Sequence, residues 1–105
     1  MTRKKIKLIE KEAFIMETRK LTVSGVVQGV GFRWSTQMLA QKMGIPGSVK
    51  NNSDGTVTIF IQGEPAELDR FTQKLPSASG FAHIENIDQE LTSNVEKMHS
   101  FNVLY

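Results

Sequence analysis

Three glycines within seven residues, in the run Gly25-Val26-Val27-Gln28-Gly29-Val30-Gly31-Phe32-Arg33, separate a strand-like segment from a helix-like one. Such a turn has little side-chain cover. Where it opens onto the unpaired amides of a helix start, the backbone can come close enough to hold an anion. Arg33 sharpens the constraint, because a cation in the first turn of a helix sits beside the positive end of the macrodipole and is misplaced unless something negative is there too. The combination points to a small, doubly charged oxyanion such as a phosphoryl group. Glycine spacing alone has a second reading: strand-turn-helix junctions also use glycine simply to pass the chain through positive φ.

A second element lies downstream. Gly47-Ser48-Val49-Lys50-Asn51-Asn52-Ser53-Asp54-Gly55-Thr56-Val57 reads as a strand, a tight Asp-Gly turn and a returning strand. Asn52 suits the turn, since asparagine tolerates the left-handed region and bonds its own backbone. Asn51, one residue deeper, falls at the strand end with its carboxamide projecting from the sheet.

These two stretches resemble the motifs of the acylphosphatase family. The first family motif, G-x-V-Q-G-V-G-[FY]-R, is met at every defined position by Gly25, Val27, Gln28, Gly29, Val30, Gly31, Phe32 and Arg33. The second is met by Gly47, Val49, Asn51, Gly55, Val57 and Gly63, with one departure: Ser48 stands where the family usually has an aromatic, which is expected to alter packing beside the site rather than the chemistry. The similarity runs from about Glu17 to Tyr105.

The chain has 105 residues, enough for one modest core, and no cysteine, which removes disulfides, thiolate metal sites and a cysteine nucleophile. No stretch is long or apolar enough to span a bilayer, and the basic first residues lack the apolar run and small-residue cleavage site of a secretion signal. The expectation is a cytoplasmic protein that binds neither membrane nor nucleic acid. The isoelectric point near 9.0 does not argue otherwise. Residues 1–15 hold five Lys/Arg and two Glu, net +3, while the other 90 hold eight Lys/Arg and nine Asp/Glu, net −1. Phosphate affinity must therefore be local rather than a broad field.

The chain divides into a basic N-terminal extension, residues 1–15, expected to be disordered, and an acylphosphatase-like domain, residues 16–105. Lys11-Glu12-Ala13 can be encoded by a purine-rich ribosome-binding sequence, so Met16 is the expected native start. Beyond it, Leu21 and Val23 alternate with Thr22 and Ser24 as a strand. Phe32, Thr36, Leu39, Ala40 and Met43 form a helical stripe ended by Gly44. Val57, Ile59 and Ile61 mark a third strand; Pro65 opens a helix with Leu68, Phe71 and Leu75 on its apolar face. Phe81 to Leu91 holds a less regular strand, and Phe101, Val103 and Tyr105 the last one.

That order is an α+β, ferredoxin-like split βαβ sandwich (βαββαβ): an antiparallel sheet with two helices on one face, the fold that the resemblance also implies. The resemblance further implies an enzyme, an acylphosphatase that hydrolyses the carboxyl-phosphate bond of a small acyl phosphate to carboxylate and inorganic phosphate, acting as a monomer with no cofactor and no metal. In the implied site, Arg33 and the amides of a phosphate-binding loop, Gln28, Gly29, Val30, Gly31 and Phe32, hold the phosphoryl group. Asn51 orients the attacking water. The residue types agree: the two motifs contain no Cys or His nucleophile, no Walker-type Lys-Ser/Thr and no carboxylate cluster for magnesium. So sparse a site suits an already reactive mixed anhydride.

Other residues invite simpler readings. His83 and His99 read as ordinary surface or strand histidines, Trp34 as packing or shielding, and Glu64, Glu67, Asp69 and Arg70 as a solvated helix face. Two other function classes stand beside the enzyme. One is an RNA-binding sheet, for which the third strand offers only Phe60 as a stacking platform. The other is an accessory domain of a carbamoyl-transfer maturation factor, whose large catalytic remainder the chain lacks.

Overall fold

The structure, a computed structural model, describes residues 16–93 and 96–105; the expectations for the basic extension fall outside the described residues. In chain order the elements are β1 (Glu17–Val26), α1 (Phe32–Met43), β2 (Gly47–Asn51), β3 (Val57–Gly63), α2 (Pro65–Lys74), a short 3₁₀ turn (Leu75–Ser77), β4 (His83–Thr92) and β5 (Phe101–Leu104). The sheet runs β4-β1-β3-β2-β5. The first four strands pair antiparallel, with the two helices inserted as the split βαβ requires. β5 then adds a fifth strand, parallel to β2, so the whole sheet is mixed.

Period-two alternation decides which face of the sheet is covered. Leu21 and Val23 on β1, Val49 on β2, and Val57, Ile59 and Ile61 on β3 are all fully buried and share one face, as their register partners show. Against that face α1 packs Phe32, Thr36 and Ala40, and α2 packs Leu68 and Phe71. Burying the Val, Leu, Ile and Phe side chains among these stabilises by about 1.5–3 kcal/mol each. α1 stops at Gly44, whose φ of 73° takes the chain into the left-handed region. The amides of Gly44 and Ile45 then close back on the Gln41 and Ala40 carbonyls, and Ile45 buries itself beside them.

The first glycine of each motif has a different task from the loop glycines. A Cβ on Gly25 would lie 2.1 Å from the His83 carbonyl oxygen, and one on Gly47 would lie 1.8 Å from that of Phe60. These two positions let neighbouring strands come together, Gly25 at the irregularity where β1 meets β4. The turn between β2 and β3 is one residue longer than the shortest Asp-Gly hairpin. Asn52 donates its amide to the Thr56 carbonyl, and Gly55, at φ 93°, completes a three-residue loop.

Two side chains hold the parts the core does not. Arg19, buried on the helix-facing side of β1, donates to Asp69 of α2 at 2.7 Å, to Glu17 at 2.8 Å and to Gln89 of β4 at 2.8 Å. Burial lowers its pKa, but the two carboxylates outweigh it and the net shift is upward. Asp69 is thus not only a solvated helix residue, and Glu67 pairs with Arg70 at 2.6 Å. Gln62, on the opposite sheet face, donates to the Glu96 carbonyl at 3.1 Å and accepts from the Met98 amide at 2.7 Å. It pins the segment that carries the chain across to β5.

Candidate active site

The register sets the ends of β1, β2 and β5 and the start of β3 at one end of the sheet, where α1 also begins: Val23 pairs with Val57, Asn51 with Val57, and Lys50 with Leu104. Val27 is buried and Val30 packs against the core, so the loop between β1 and α1 is anchored on its apolar side. Gly29 and Gly31, at φ 77° and 79°, turn it sharply. Gly31 is the N-cap, no side chain caps the helix, and its first turn contains no acidic residue. Among the described residues no carbonyl accepts from the amides of Gly29 to Arg33; the first to be paired is Ser35, which donates to the Gly31 carbonyl at 3.1 Å. These free donors lie at the positive end of the helix dipole.

Arg33 is the second residue of α1. Its Nη1 donates to the Leu104 carbonyl at 2.9 Å, and its guanidinium lies over the Tyr105 ring, 4.6 Å from the centroid. An arginine has five N–H donors, so this contact leaves most of the fork free. Asn51 ends β2 on the helix-facing side, and its Oδ1 is buried without a hydrogen-bond partner among the described residues. An unsatisfied buried acceptor costs about 1–3 kcal/mol.

A cavity of about 520 Å³ opens here, and its lining includes Gly29, Gly31, Phe32, Arg33 and Asn51. Among the described residues no Asp or Glu side chain lines it, and Arg33 is its one charged side chain. Phe32 is itself a core residue and offers the cavity its backbone. Gln28 and Val30 are not in the lining. The Gln28 carboxamide instead turns to the hairpin and donates to the carbonyls of Asn52 and Thr56, both at 2.8 Å, locking the loop to the turn that follows Asn51. Asn52 serves that turn, as expected, donating to the hydroxyls of Thr56 and Thr58.

Three features of the site escaped the sequence. The Leu104 carbonyl is main chain and has no signature in residue type. Residue pattern marks Tyr105 only as the end of a strand. Of the two readings of Trp34, packing or shielding, only packing fails: it is 64% exposed at the cavity, a position its offset of two residues from the Phe32 stripe already implied. Ser48 also differs from expectation. It pairs with Phe60 on the open face of the sheet, opposite Asn51, so the missing aromatic alters that face and not the cavity. His83 and His99 are exposed, and among the described residues no group of three His, Cys, Asp or Glu could hold a metal ion. No helix of the described residues is long and apolar enough to cross a membrane.

The family model described as Acylphosphatase matches residues 19–103. An acylphosphatase of Lactobacillus johnsonii is 48% identical over 91 residues, covering 86% of this chain and all of that protein. The crystal structure of acylphosphatase from Bacillus subtilis superposes with a TM-score of 0.80 at 34% identity, over 86% of this chain and 99% of that one. Full-length HypF is also similar, with a TM-score of 0.77 at 27% identity over 86% of this chain, but the match takes up only 12% of the HypF chain. With a family match over most of the chain and relatives matched along their full length, this protein belongs to the acylphosphatase family, hydrolases that act on acyl phosphates.

Proposed function

We propose that the protein hydrolyses acyl phosphates by direct attack of a water that Asn51 orients, while Arg33 and the amides of residues 28–32 hold the phosphoryl group. The observation that carries this reading is the meeting of Asn51 and Arg33 in the lining of one cavity. The Asn51 carboxamide hydrogen-bonds the water and leaves a lone pair of the water oxygen facing phosphorus. The water oxygen bonds to phosphorus, the bond from phosphorus to the acyl oxygen breaks, and the carboxylate leaves with the electron pair. A carboxamide is too weak a base to take the released proton, which passes to a phosphoryl oxygen. Free amides and the guanidinium fork strengthen their hold as charge shifts in the transition state.

The reaction so drawn uses no metal or organic cofactor, and every group in it comes from one chain, which supports action as a monomer on a small substrate. The charge balance of residues 16–105, net −1, supports a reading with no nucleic-acid partner. Turnover of acetyl phosphate and benzoyl phosphate in the presence of a chelator tests the proposal. Asn51→Ala should lower kcat on the order of 10²-fold or more, by analogy with loss of a single oxyanion donor. Full activity in that variant would overturn the assignment.

A further inference from the structure

Two large side chains stand at the cavity with no share in gripping the phosphoryl group. Trp34 is 64% exposed and Tyr105 94% exposed, and both belong to its lining. Asn51 is half-buried and lines the same cavity. In-line displacement puts the attacking and leaving oxygens on opposite sides of phosphorus. With the water at the Asn51 carboxamide, the leaving carboxylate and its acyl group point away from Asn51, toward the two exposed aromatics.

We infer that Trp34, with Tyr105, forms an acyl subsite that favours aromatic and bulky apolar acyl phosphates over acetyl phosphate; this rests on the assignment of the water to Asn51. The Tyr105 ring is held by the Arg33 guanidinium stacked 4.6 Å from its centroid. Trp34 has a further reach. It also borders a second cavity of about 650 Å³ between α1 and Ala78, where Met38 and Leu39 add apolar surface beside Gln41 and Lys42, within reach of an acyl group longer than one ring. Neither aromatic takes part in the bond changes. They cover the acyl group and stack on it, and an acetyl group is too small to reach both.

The test is kcat/KM for benzoyl phosphate and for acetyl phosphate in the unaltered protein, Trp34→Ala and Trp34→Phe, with the inhibition constant of inorganic phosphate measured alongside. Trp34→Ala should cost benzoyl phosphate about tenfold more than acetyl phosphate, the scale of one aromatic stacking contact with its buried area. Trp34→Phe should recover most of that difference. Inorganic phosphate, which has no acyl group, should inhibit the variants within about twofold of its original strength, on the scale of a contact it never makes. Equal losses for the two substrates, or none, overturn the subsite. An Asn51→Ala protein of undiminished activity overturns instead the reading beneath it.

Discussion

The Nη1 of Arg33 and the main-chain carbonyl of Leu104, 71 positions apart in sequence, are joined by a 2.9 Å hydrogen bond. A cation that the helix dipole disfavours is thereby held by the last residue of the edge strand, and the Tyr105 ring backs its face.

Arg33→Lys tests whether that geometry matters. A lysine keeps the charge but is a point donor, unable to bond Leu104 and grip phosphoryl oxygens with one planar group. The expected result is a fall in kcat/KM on the order of 10²-fold, with weaker inhibition by inorganic phosphate. Wild-type kinetics from the lysine variant would show that charge alone suffices.

Gln28 makes a prediction of another kind, because its side chain joins two backbone segments. Removing it in Gln28→Ala deletes two hydrogen bonds to carbonyls that each keep a backbone partner, Asn52 from the Gly55 amide and Thr56 from the Asn52 amide. Stability should drop by about 1–3 kcal/mol in urea titration, with a fall in kcat as the loop loosens from the turn beside Asn51. A stable variant with reduced activity would place Gln28 at the chemistry rather than at the joint.

The glycines should separate by substitution. Gly47→Ala drives a Cβ into the Phe60 carbonyl and should destabilise by about 3 kcal/mol or more. Gly31→Ala meets open space and only an unfavourable φ, a cost of about 1–2 kcal/mol. Thermal unfolding of the pair checks the order, and a Gly47→Ala protein as stable as its parent would contradict the strand spacing.

Asp54 adds a pH signature to the same hairpin. Its carboxylate accepts from the Thr56 hydroxyl at 2.6 Å and the Thr56 amide at 3.0 Å, and these bonds hold its pKa below the usual carboxylate range. The unfolded chain therefore binds the proton more readily. The contribution to stability is complete above the unfolded pKa and is lost as the pH falls through the folded one. In an NMR titration Thr56→Val should move the Asp54 pKa upward, and an unmoved midpoint would refute the hydroxyl as its main cause.

The two glycine motifs, the helical stripe from Phe32 and the alternation around Val57 were legible because each reports a local period or turn. β4 was harder to read, since it is an edge strand whose residues are mostly half-buried or exposed and so carry no firm alternation. The parallel partner of β5 was not legible at all, because Phe101 and Val103 say which face is buried but not which strand lies beside them. Distance in sequence hid the Arg19–Asp69 ion pair, and the Leu104 contact is made by an atom every residue possesses. Asn51 and Arg33 could be singled out individually. Their meeting depended on strand order, which no single stretch encodes.

The parallel placement of β5 has a consequence for biosynthesis. During translation the ribosome releases the glycine loop and the hairpin long before residues 101–104, so a nascent chain lacking them has no brace for its arginine. Competence for catalysis should therefore emerge in one late step, when the final strand docks, rather than grow gradually with chain length.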